Sequence, residues 1–161
     1  MSTQVPAAPV VEISKEARIA IAAARFNGPI VEELLVGCVR RLIELGVASD
    51  RVHIHRVPGA FELPLAAKAL AQTGQFAAVV CLGAVIRGDT PHFEYVAGEC
   101  ARGIAKVSLS ETLPVIFGVL TTNTEQQALD RIGGSHGHAG ERAAEAAVEM
   151  AGLLEKLRKQ E

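Results

Sequence analysis

Phe76 to Ile86 is continuously apolar and rich in Val. The run is too short to span a bilayer as a helix, and it has the pattern of a central strand covered on both faces. A strand of that kind commits the chain to helices packed on either side of a sheet. The flanking sequence supplies them. Arg18 to Ala24 reads as a first strand, ended by Arg25-Phe26-Asn27-Gly28-Pro29. From that proline, at a first helical position, Val31, Leu34, Leu35, Cys38, Val39, Leu42 and Ile43 recur at helical spacing until Gly46 stops them.

Arg51 to Val57 is a second strand, Pro58 to Glu62 a turn, and Pro64 opens an Ala-rich helix running to Gln72. After Gly88-Asp89-Thr90, Pro91 marks another helix start, with Phe93, Val96, Ala97, Cys100, Ile104 and Val107 as its apolar stripe. Pro114 to Leu120 is a fourth strand. Thr124 to Gln127 has the capping-box pattern of a short helix ending near Ile132. Gly133 to Gly140 reads as a glycine-rich hinge, and a last helix turns Ala143, Ala147, Met150, Leu154 and Leu157 inward. Strand and helix alternate four times. This predicts an α/β fold: a single-domain, three-layer α/β/α sandwich around a mostly parallel four-stranded sheet. The domain is expected over residues 15–158, after a flexible Pro/Ala-rich lead-in at 1–14.

Charge and cysteines narrow the function classes. With a formal net charge of −2 over 161 residues and no basic stripe, nothing is placed to neutralise a nucleic-acid backbone. Cys38, Cys81 and Cys100 are far apart among apolar neighbours, which reads as buried reduced thiols. No basic stretch followed by an apolar run opens the chain, so a soluble, cytoplasmic protein without a membrane partner is expected. Large side chains are scarce and Ala is frequent, a composition compatible with close oligomer packing.

In sheets of this kind ligands bind beyond the carboxyl ends of the strands. Four segments with polar and aromatic residues fall there: Arg25-Phe26-Asn27, Gly59 to Glu62, Ala84 to His92, and Leu120 to Asn123. Gly88-Asp89-Thr90 beside a helix N-terminus offers free N–H groups to an anion, or Thr90 simply caps the helix. His92, in the first turn, is either a surface residue or a proton shuttle; the positive end of the helix dipole disfavours its charged form. Glu62 is a surface carboxylate or an acceptor for a polyol or ring N–H. Phe26 and Phe117 are core or stacking partners for a flat heteroaromatic ring. Arg131 is a surface arginine or a phosphate clamp. His53 with His55, and His136 with His138, lack a third ligand in sequence, so no metal site is expected and a solvated face is the better reading of the first pair. Gly83 to Thr90 fails as an ATP-binding loop because Asp89 stands where a lysine should meet the phosphates.

Taken together, Arg25-Phe26-Asn27, Val57 to Pro64, Leu82 to Phe93 and Phe117 to Ala128, with Arg131 beyond, resemble the 6,7-dimethyl-8-ribityllumazine synthase family in order and spacing. The resemblance implies a flavodoxin-like fold and a cofactor-independent transferase of riboflavin biosynthesis. It would condense 5-amino-6-(D-ribitylamino)uracil with 3,4-dihydroxy-2-butanone 4-phosphate, releasing phosphate and water. It also implies roles. Phe26 would stack on the pyrimidine, Ala60, Phe61 and Glu62 would bind the ribityl chain, and Ala84, Val85 and Ile86 the ring edge. Asp89, Thr90 and Arg131 would hold the butanone phosphate, His92 would shuttle protons, and Phe117 would reach in from a neighbouring subunit.

Members of the family assemble as homopentamers, some closing into icosahedral 60-subunit shells, and riboflavin synthase is a candidate partner. A competing reading is a non-catalytic shell protein of the same fold that binds a flavin or a precursor; such a binder need not retain His92, Arg131 and Glu62. One departure stands out. Gly133 to Gly140 contains none of the lysines common in the family, so His136 or His138 is expected to substitute in part, or Arg131 to suffice.

Overall fold

The computed structural model describes residues 7, 9 and 12–160, so most of the lead-in expected at 1–14 lies outside the described residues. Four strands form one sheet: β1 (Ile19–Ala24), β2 (Val52–Val57), β3 (Ala78–Ile86) and β4 (Val115–Thr122). Their order is β2-β1-β3-β4 and every pairing is parallel. The chain therefore steps from β1 to one side, then back across to the other, and the direction of winding reverses between β1 and β3. That reversal leaves a crevice beyond the carboxyl ends of these two strands.

Helices cover both faces, as the buried strand requires. Even-numbered residues of β3 join Ile19, Ile21 and Ala23 in a core against α1 (Gly28–Glu44) and α5 (Ala139–Arg158). Odd-numbered ones join Ala20, Ala22 and Ala24 in a second core against α2 (Leu63–Gln72) and α3 (His92–Glu111). The small side chains of β1 let the helices lie close to the sheet. All three cysteines are buried in these cores, as their neighbours in sequence imply. Desolvation pushes the Cys38 thiol up to about 12 and that of Cys100 to about 11, so neither ionises near neutrality.

The glycine-rich stretch is not a hinge. After the short α4 (Glu125–Leu129), the antiparallel pair β5 (Ile132–Gly134) and β6 (Gly137–His138) makes a small hairpin that runs directly into α5. Gly133 and Gly137 take φ of 103° and 76°, the left-handed backbone that such a tight return requires. No helix of the described residues is long and apolar enough to cross a membrane.

Candidate active site

Three of the four strand-end segments meet at the crevice. Asn27 takes a left-handed backbone (φ 56°) at the start of α1, and its Nδ2 donates to the Ala84 carbonyl at 2.8 Å, tying the end of β1 to β3. The Arg25 and Phe26 N–H groups donate to the carbonyls of Val57 and Pro58, at 2.8 and 3.0 Å, which brings the turn after β2 alongside. Between them lies a cavity of about 480 Å³. Its wall includes Phe26, Ala60, Phe61, Glu62, Ala84, Val85, Ile86, Thr90 and His92, the size and mixed apolar-polar lining of a small-molecule site.

Two features give the cavity a chemical character. Phe26 is 71% exposed and lines the cavity, and its backbone is tied to Pro58, so an aromatic ring is available at the cavity wall. The second is a free strand edge. β1 pairs with β3 only as far as Leu82, whereas β4 follows β3 to Ile86. The Ala84 carbonyl points to the β1 side, where Asn27 meets it, and by the alternation of a strand Ile86 shares that side. The Arg87 N–H, one residue on, donates to Thr122 on the opposite side at 2.9 Å. The Ile86 peptide groups thus face the crevice with no strand opposite.

At the far end of the cavity, Thr90 Oγ1 accepts the His92 N–H at 3.4 Å, but the N-cap of α3 is Pro91 and no side chain caps the helix, so Thr90 is not the cap that its place in sequence offered. Among the described residues the N–H groups of Gly88, Asp89 and Thr90 meet no acceptor, so the turn before α3 keeps donors for an anion. The first turn of α3 is braced by Arg87. Its Nε donates to Asn123 Oδ1 at 2.9 Å, its Nη1 pairs with Glu94, and its guanidinium lies over the Phe93 ring, 4.3 Å from the centroid.

Not every expected residue arrives. Asp89 is exposed and outside the cavity wall although its neighbours Gly88 and Thr90 line it. Phe117 is not at a strand end. It sits early in β4, in register with Cys81, and is 42% exposed on the edge strand. Arg131 lies beyond α4, with Nη1 donating to the Gln127 carbonyl at 2.7 Å, and it too is absent from this chain's cavity. The fourth segment contributes at second hand, through Thr122 and Asn123, which both bond Arg87.

Of the pair read as a solvated face, His55 is exposed while His53 is half-buried, and both rings meet Phe76 edge-on. His138 turns inward as the cap of α5, its Nδ1 accepting the Glu141 N–H at 3.3 Å, so it is not free to substitute for a lysine; His136 is exposed. Among the described residues no group of three metal-ligating side chains occurs. Asn27 and Val96 are wall residues not singled out as ligands from sequence. Val96 was within reach of it, being one helical turn beyond His92 and therefore on the same face.

The family model for 6,7-dimethyl-8-ribityllumazine synthase matches residues 16–155, which takes in the sheet, every helix start at the crevice and most of α5. The chain belongs to that family. A protein from Desulfosudis oleivorans named 6,7-dimethyl-8-ribityllumazine synthase is 51% identical over 142 residues, 88% of this chain and 90% of its own length. The matched span contains all of the cavity wall and also Asp89, Phe117 and Arg131, the three expected residues that the single chain leaves outside it.

Proposed function

We propose that the protein condenses 5-amino-6-(D-ribitylamino)uracil with 3,4-dihydroxy-2-butanone 4-phosphate to give 6,7-dimethyl-8-ribityllumazine. The observation that carries this reading is the cavity at the reversal of strand order, where an exposed aromatic ring, an unpaired strand edge and a donor-rich helix start converge in a chain of this family. The pyrimidine stacks on Phe26, and its ring-edge N–H and C=O groups meet the backbone at Ala84 to Ile86, chiefly the open Ile86 peptide. Ribityl hydroxyls run along Ala60, Phe61 and Glu62, whose carboxylate is an acceptor for them.

The butanone phosphate sits on the turn before α3. Thr90 and Asp89 hold it, Asp89 through its N–H because its carboxylate repels an anion. Arg131 supplies the cationic fork. The pyrimidine amine attacks the ketone, water leaves as the imine forms, phosphate is eliminated, and ring closure releases a second water. His92, at the cavity wall, moves protons between these steps. Holding the two substrates in register supplies much of the acceleration, with His92 adding proton transfer.

Arg131 and Phe117 reach the site from a neighbouring copy, so the working unit is an oligomer, read here as a pentamer that closes into a shell. The cytoplasm as its compartment and riboflavin synthase as a partner belong to the same reading. Purified protein mixed with both substrates is expected to form the lumazine chromophore above the spontaneous rate. His92→Ala should lower kcat by about a hundredfold, the scale of a lost proton shuttle. Product at only the background rate with wild-type protein would refute the assignment, and sedimentation of the same sample distinguishes pentamer from shell.

A further inference from the structure

The hairpin between Arg131 and α5 is built around one imidazole. Ile132 pairs with His138 across it, and the Ala139 N–H donates to the Arg131 carbonyl at 2.8 Å, so the backbone of Arg131 is joined to that of His138 by the ladder itself. The His138 ring occupies space that two glycines vacate. A Cβ on Gly37 of α1 would lie 2.0 Å from its Cε1, and one on Gly140 would lie 3.0 Å from the same atom. Its Nδ1 is meanwhile committed to capping α5 through the Glu141 N–H. The ring is therefore wedged between α1 and α5 at the end of the hairpin, with its Nδ1 already used.

We propose that His138 is a positioning residue for Arg131: the wedge fixes the hairpin on α1 and thereby sets the point from which the arginine reaches the butanone phosphate. This rests on the reading of Arg131 as the phosphate clamp. Arg131 spends one Nη1 bond on the Gln127 carbonyl, and Gly133 to Gly140 carries no lysine to share the phosphate charge, so binding depends on where this one guanidinium is held. His138 touches neither substrate. Its influence passes along the ladder bond from Ala139 to Arg131.

The test uses the full-length assembled protein and measures KM for each substrate separately in Arg131→Ala, His138→Ala and His138→Asn. Asparagine keeps a side-chain acceptor for the Glu141 N–H. Arg131→Ala should raise KM for the butanone phosphate. His138→Ala should raise the same constant about fivefold, the factor that a lost helix cap corresponds to, leaving KM for the pyrimidine and kcat within about twofold. His138→Asn should recover part of the loss.

If Arg131→Ala leaves the butanone constant unchanged, the clamp reading itself falls. If Arg131→Ala raises it and both His138 variants do not, the clamp stands and the positioning proposal is overturned. An equal loss in both KM values and kcat from His138 variants overturns it too, since that is the mark of general damage to the fold. Should His138→Ala fail to assemble, hydrogen exchange at the Ala139 amide in His138→Asn decides. Faster exchange there with a raised butanone KM supports the proposal, and wild-type values of both overturn it.

Discussion

Arg87 makes three different contacts at the mouth of the cavity, each with a distinct physical character. Its Nε reaches Asn123 after β4, its Nη1 pairs with Glu94 in the first turn of α3, and its planar face covers Phe93. The result is that the helix start bearing His92 is fastened to the ends of two strands. The hydrogen bond from Arg87 is the main cause holding the Glu94 carboxyl below its ordinary value, with a backbone hydrogen bond adding to it. A depressed carboxyl contributes stability that is present above its unfolded value and lost as pH falls through the folded one. The clasp is therefore closed at neutral pH and opens only on acidification below the usual carboxylate range. Both partners are substantially exposed, so salt should weaken it. A carbon-detected titration of Glu94 is expected to show a midpoint below that of an ordinary glutamate. Arg87→Ala should return it upward, and so in part should molar salt; a midpoint indifferent to both would mean that the clasp does not form in solution.

At the scale of elements, the hairpin and the α1–α5 pair show what sequence periodicity can and cannot reveal. β3 was legible because burial on both faces leaves an unbroken apolar run. The helix starts were legible because proline and the Gly88 to Thr90 turn mark them locally. The hairpin was not. Strands of two or three residues have no period to detect, and glycines chosen for close packing look the same in sequence as glycines chosen for flexibility. Gly140 is the clearest case. A Cβ there would fall 2.1 Å from the Leu34 carbonyl oxygen of α1, a backbone atom that cannot rotate aside. Gly140→Ala should therefore destabilise the fold by about 1–3 kcal/mol in urea unfolding, the cost of overpacking, with an unchanged slope. A hinge glycine would instead gain from the same change by about 0.4–1 kcal/mol through a less flexible unfolded chain. The sign of the shift thus separates the two readings of this segment. β4 runs two residues past the expected Leu120, to Thr122, beyond its apolar residues, and Phe117 lies in the body of the strand with either boundary.

Over the whole molecule, the residues expected at the site from sequence outnumber those that meet in the cavity of one chain. Phe26, Glu62, Ile86, Thr90 and His92 meet in one cavity because they follow strands that are neighbours in one sheet. Phe117 and Arg131 are tied to the far strand and the helix after it, and nothing in a linear pattern says which copy of the chain a residue serves. If they complete the cavity of a neighbour around a ring, each site draws His92 from one subunit and Arg131 from the next, the head-to-tail contact of a cyclic oligomer. That arrangement makes a prediction no single-chain site can satisfy. His92→Ala and Arg131→Ala proteins, each impaired alone, should regain activity when unfolded and reassembled together. In an equal mixture about a quarter of the sites would pair an intact His92 with an intact neighbouring Arg131, by random placement in a head-to-tail ring. Recovered kcat should approach that fraction of the wild-type value. It should rise and fall with the mixing ratio and vanish if the two proteins are assembled separately before mixing. Activity of the mixture equal to the mean of the two variants would instead place both residues in the same subunit's site, and would require Arg131 to swing across from α4 on binding.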